Sequence, residues 1–219
     1  MNMQHHLDGA TLLRYAAGDL DEAFSVVVAS HLAMCAECRR ALRVAEKVGG
    51  QLLEEAETAD LSSGAFERLM QRVDANGSKP PKARERIVAE ESDVPVPLRR
   101  FVGPSLDEIA WKAISPGVSR HAIELPSSPV SSLYMLRIAA GKAVPEHGHG
   151  GAEMTLVLSG AYRDELGRFG PGDIADLDEH VEHQPKVETG EPCICLVATE
   201  APTRYKGFFS RILQPLVGI

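Results

Sequence analysis

The chain has 219 residues, 44% of them apolar and 25% charged, enough for one large core or two small ones, so wholesale disorder is excluded. With 23 basic and 31 acidic residues the formal charge is −8, and such a surface gains little from a phosphate backbone, which argues against direct nucleic-acid binding. No stretch approaches the roughly 20 apolar residues of a membrane span, and Met1–Asp8 lacks the basic and apolar regions of a secretory signal, which points to the cytoplasm.

Residues 1–75 read as a small helical domain of about four helices. Asp8 can cap a first helix bearing Leu12, Leu13, Tyr15 and Ala16, with Gly18 as its stop. Asp19-Leu-Asp-Glu22 resembles a capping box for a second helix through Phe24, Val27, Val28 and His31. A third segment, about Ala36 to Ala56, carries Leu42, Ala45, Val48 and Leu52 at helical spacing. Ser62 or Ser63 opens a short amphipathic fourth helix with Phe66, Leu69, Met70 and Val73 on one face.

Residues 76–100 gather Gly, Pro and mixed charge without apolar periodicity and read as a flexible linker. From 101 to 219 the pattern turns to short strands. Val118–Leu125, Ser132–Ala139, Met154–Ser159, Asp173–Leu177 and Cys193–Thr199 are separated by Gly, Pro and Ser, as in a sandwich or small barrel. The expected architecture is a helical domain followed by an all-β domain.

Two groups of residues carry metal chemistry. His31-x3-Cys35-x2-Cys38 places three ligands at steps that share one helix face, but a straight helix leaves His31 and Cys38 about 10 Å apart. A bend around Met34–Glu37, with both cysteines opening the next helix, brings them together. Two thiolates and an imidazole suit Zn²⁺, and a structural site takes a fourth ligand, for which His6 or its neighbour His5 is placed. A domain of about 70 residues is short of core and gains from such a staple.

The second group lies in Gly141-x5-His147-x-His149-x3-Glu153-x6-Gly160. His147 and His149 point to one face of a strand, and a turn at Gly150-Gly151 folds Glu153 back towards them. His183 follows a later strand, with His180 as an alternative three residues away. Three imidazoles and a carboxylate can hold Zn²⁺ or another divalent transition metal such as iron, manganese, copper or nickel. Cys193 and Cys195 alternate on one strand face and read as buried thiols, or as groups that approach this metal.

The helical segment with Tyr15-Ala-Ala-Gly18 and His31-x3-Cys35-x2-Cys38 resembles the zinc-binding anti-sigma domain, in the ChrR type that joins this domain to a cupin. The 141–160 segment matches the first cupin motif at every defined position. The second motif is matched at Gly172 and His183, but Asp178, His180 and Val187 depart from its Pro, Gly and Asn. The resemblance implies a jelly-roll barrel, zinc on His6, His31, Cys35 and Cys38, and a second metal on His147, His149, Glu153 and His183. It also implies a partner, an extracytoplasmic-function sigma factor gripped in part by the fourth helix, and a signal such as singlet oxygen that promotes its release. A cupin with this ligand set is equally the constellation of metal dioxygenases, and of simple ligand-binding barrels.

Overall fold

A computed structural model describes residues 3–75, 92–125, 131–202 and 204–205. Helix α1 (Gly9–Ala17) starts where the Asp8 carboxylate accepts from the Thr11 N–H and stops at Gly18, which takes φ 72°, a conformation that favours glycine. Helix α2 (Glu22–Met34) is capped by Asp21 through the Ala23 N–H. The chain breaks at Cys35, in extended conformation, and re-enters α3 (Ala36–Glu55), so the expected bend falls at the cysteine itself. Helix α4 (Ala65–Ala75) buries no side chain.

The expected linker divides. Residues 76–91 lie outside the described residues, whereas 92–100 lead into and begin a packed helix. Helix α5 (Val96–Val102) begins beside Pro95 and Pro97, an early helical position where the missing proline N–H costs nothing, and packs on α2 with Leu98 and nearby Val94 fully buried. A 3-10 turn at Leu106–Glu108 leads into the sheets.

The strands are β1 (Lys112–Ser115), β2 (Val118–Ile123), β3 (Ser132–Ile138), β4 (His147–Gly148), β5 (Glu153–Ser159), β6 (Tyr162–Asp164), β7 (Gly167–Phe169), β8 (Ile174–Leu177), β9 (Glu182–His183), β10 (Lys186–Val187), β11 (Cys193–Thr199) and β12 (Arg204–Tyr205). One six-stranded antiparallel sheet runs β1-β2-β3-β11-β5-β8, and two three-stranded sheets, β10-β6-β7 and β12-β4-β9, complete the barrel.

The large sheet is apolar on both faces. Tyr134, Val157, Cys195 and Val197 join Tyr162, Phe169 and Val187 in the barrel interior, while the alternating residues Leu133, Met135, Met154, Leu156 and Leu196 face outwards. An antiparallel sheet with an apolar outer face needs a cover, and α2 supplies it. Phe24, Val27, Val28 and Leu32 pack with that face in one continuous core, each burial contributing about 1.5–3 kcal/mol. The helical and β halves are therefore docked on one another.

Candidate metal centres

The first group forms where α2 ends and α3 begins. His31 Nε2 lies 3.2 Å from Cys38 Sγ, and His6 Nδ1 lies 3.4 Å from Cys35 Sγ and 3.6 Å from Cys38 Sγ. All four donor atoms fall within 4.8 Å of one another. A tetrahedral ion bound at about 2.3 Å to sulfur and 2.0 Å to nitrogen separates such atoms by roughly 3.5 Å, close to these three nitrogen–sulfur distances. Both thiols sit at the N-terminus of α3, Cys35 as its cap and Cys38 in its first turn.

His31 has no exposed surface. Its Nδ1 donates to the Gly172 carbonyl at 2.9 Å, which leaves the Nε2 lone pair aimed at the thiols. Burial holds this imidazole down at about 4, partly opposed by the Gly172 carbonyl, and burial pushes the Cys38 thiol up to about 11. His6 turns its other nitrogen to Glu37, with Nε2 3.5 Å from Oε2. His5 is not part of the group. Its ring lies against Phe169, with centroids 3.9 Å apart and planes 19° from parallel.

The second group lies inside the barrel. His147 opens the two-residue β4 and His149 follows it, His183 closes β9, and the β4–β9 pairing sets His147 directly opposite His183. Their Nε2 atoms are 3.1 Å apart. His147 Nδ1 donates to the Pro145 carbonyl and His183 Nδ1 to the Asp164 carboxylate, both at 2.8 Å. Carbonyls and carboxylates only accept, so Nδ1 is the donor in both contacts, and the two Nε2 atoms are turned towards each other. A metal ion between them would accept both lone pairs. His149, 1% exposed, has no hydrogen-bond partner of good geometry on either ring nitrogen among the described residues. The three imidazoles lie within 4.8 Å of one another.

Glu153 is not among those mutually close donors. Its Oε2 is 3.3 Å from His149 Nδ1, and Thr155 Oγ1 donates to Oε1 at 3.3 Å. Burial pushes this carboxyl up, but His149 and the other imidazoles outweigh it and hold it below the usual range. Burial also drives His147 down to about 4, partly opposed by the Pro145 carbonyl.

His180 is apart from the group, with 81% of its side chain exposed, beside Glu179. His121 lies outside both groups, with its Nδ1 3.0 Å from the Ala110 carbonyl. Cys193 and Cys195 are buried with Sγ atoms 3.5 Å apart, and Cys195 lines a cavity of about 70 Å³ that opens beside His147, Glu153 and His183. The sequence gives no spacing signal for Asp164, Pro145 or Thr155, because their roles depend on strand pairing. Gly172 stands out as a motif glycine, but its carbonyl bond to His31 spans 141 positions.

A sequence model of the ChrR cupin-like domain matches residues 101–202. Anti-sigma-E factor ChrR of Cereibacter sphaeroides is 44% identical over 219 residues, covering all of both chains. The chain belongs to the ChrR family. A solved structure of Rhodobacter sphaeroides SigE in complex with the anti-sigma ChrR contains a chain that matches this one with a TM-score of 0.76 and 40% identity, over 90% of this chain and 99% of that chain. The ChrR fold, helices followed by a cupin barrel, is thus the fold seen here.

Proposed function

We propose that this chain is an anti-sigma factor that binds and inhibits an extracytoplasmic-function sigma factor through its N-terminal helices, in the cytoplasm, while the cupin senses a signal that promotes release. The observation that carries this reading is a set of large apolar side chains left exposed on two helix faces. On α3, Val44, Val48 and Leu52 stand four residues apart and are more than half exposed. On α4, Phe66, Leu69, Met70 and Val73 form one face, 41–66% exposed. Such rows mark protein interaction surfaces, and helix faces at this spacing dock into apolar grooves. Full-length identity to an anti-sigma-E factor, and likeness to a chain crystallised with SigE, support the same partner class.

His6, His31, Cys35 and Cys38 hold Zn²⁺ in this reading, since two thiols and two imidazoles in tetrahedral spacing suit that ion. The zinc ties the His6 segment to the α2–α3 junction and contributes on the order of 10 kcal/mol to the order of the helical unit, residues 1–75. His147, His149, Glu153 and His183 hold Zn²⁺ or another divalent transition metal in the barrel, residues 101–219. That metal supplies a Lewis-acidic or redox-active centre at the end of the cavity. The chain's own residues confine access to it. Tyr134, Leu136, Val144 and Val187 line a small apolar cavity that admits a molecule of a few atoms, such as a reactive oxygen species, rather than the larger substrates that fill pockets of about 300–1,000 Å³. This cavity favours a sensor over a dioxygenase for organic substrates.

Purified full-length chain mixed with extracytoplasmic-function sigma factors of its host tests the reading. The chain retains one of them and blocks its transcription in vitro, and Leu69→Asp, at an exposed site, keeps its melting temperature but loses retention at least tenfold. Failure of the unaltered chain to retain any such factor overturns the proposal.

A further inference from the structure

Residues 3–6, which lead into α1, are held by the barrel. Asp173 Oδ1 accepts from the backbone N–H groups of Gln4 at 2.6 Å and His5 at 3.0 Å, and the Ile174 N–H donates to the His5 carbonyl at 3.4 Å. The His5 ring stacks on Phe169, which stacks in turn on Tyr162 at 4.8 Å and 11°. Met3 packs over Gly172, which takes φ +90° and where any Cβ would collide with the methionine. The carbonyl of that same glycine accepts from His31 Nδ1. Asp173 spends its second oxygen on the Gly170 N–H at 2.9 Å, which fixes the loop that offers both contacts.

Two of the four ligands in the N-terminal group are therefore oriented by the other half of the molecule. The backbone that carries His6 is pinned by Asp173 and by the His5 ring, and the His31 ring is aimed by the Gly172 carbonyl. Cys35 and Cys38, by contrast, are placed where α2 gives way to α3. Groups that hold a ligand's second nitrogen or its backbone set metal affinity, because they fix the tautomer and the approach before the ion arrives.

We propose that the barrel loop Gly170–Asp173 is the outer shell of the N-terminal metal centre, with Asp173 and His5 as positioning residues for His6 and the Gly172 carbonyl as the orienting group for His31. This rests on the reading of His6, His31, Cys35 and Cys38 as metal ligands. The far ring of the stack, Tyr162, lines the barrel cavity beside His147, Glu153 and His183, so the outer shell of one centre ends at the wall of the other.

The test uses the full chain and Co²⁺ as the probe, because a thiolate-to-cobalt charge-transfer band reports the cysteine-bearing centre and the nitrogen-and-oxygen centre lacks it. Chelator competition followed at that band gives the affinity. His5→Ala and Asp173→Ala each weaken it by about tenfold or more, His5→Phe, which keeps the stack, retains it, and cobalt in the barrel centre is unchanged in all three. Asp173→Ala also removes the acceptor for Gly170, so if that variant loses barrel cobalt, His5→Ala, which touches no barrel hydrogen bond through its side chain, decides. Unchanged affinity in His5→Ala, or His5→Phe as weak as His5→Ala, overturns the inference. Absence of the thiolate band in the unaltered chain overturns the ligand reading, and the inference with it.

Discussion

His183 Nδ1 lies 2.8 Å from Asp164 Oδ2, and the two side chains are 4% and 0% exposed. The carboxylate fixes the proton on Nδ1 and presents Nε2 to the barrel interior. Asp164→Ala leaves the ring free to rotate, and metal affinity of the barrel centre is expected to fall about 10- to 100-fold. Chelator competition with metal analysis checks this, and the cysteine-bearing centre serves as the internal control. Unaltered affinity would mean that strand pairing alone orients the imidazole.

Acid should destabilise the metal-stripped chain in a defined window. His31 and His147 ordinarily titrate at 6.5, as they do once unfolded, but burial holds each at about 4 in the fold. Above 6.5 both states are neutral and the two groups add nothing to pH dependence. As pH falls from 6.5 towards 4, the unfolded chain takes up protons that the folded chain refuses, so stability is lost. Two such groups give a slope approaching about 2.7 kcal/mol per pH unit. Urea unfolding at a series of pH values measures it, and a flat profile across that window contradicts buried neutral imidazoles.

Metal binding at the first centre should release a proton from Cys38. Burial pushes this thiol up to about 11, so it is protonated at neutral pH and must ionise to become a ligand. Titration calorimetry with Zn²⁺ in two buffers of different ionisation enthalpy reads the release directly. A binding heat that does not depend on the buffer would rule it out.

The Tyr162 hydroxyl is buried and has no hydrogen-bond partner among the described residues, and its acidity is weakened, first by burial and then by Cys195 and Asp164. Deleting an unsatisfied buried group relieves its desolvation cost. Tyr162→Phe keeps the ring stacked on Phe169, so its stability should be unchanged or up to about 1 kcal/mol higher by chemical denaturation. A loss of more than that amount would show that the hydroxyl is bonded in solution.

Local signals were the legible ones. Asp8 and Gly18 bracket α1 because capping depends on neighbours three or four residues away. The bend at Cys35 follows from the reach that His31-x3-Cys35-x2-Cys38 requires, and His147, His149 and His183 sit at motif positions that strand geometry brings together. Helix α5 was hidden because Pro95 and Pro97 look like breakers, and only Val94 and Leu98 are buried there, too few to show a period. Asp164 and Asp173 were hidden because each acts on a residue brought near by barrel closure. The choice between His5 and His6 depends on Phe169, which lies 164 positions beyond His5. Neither partner marks the other in sequence.

The outward face of the large sheet and the inward face of α2 share one set of side chains, among them Val27, Val28, Met135, Leu156 and Leu196. Neither surface can be bared without the other, so the helices and the barrel should melt in a single cooperative transition, not in two successive steps. The cost of opening that seam sets the least that any signal must supply to part the halves. A truncation that keeps only the first 75 residues strands α2 with its sheet-facing side in water, and the fragment should aggregate or seek another cover.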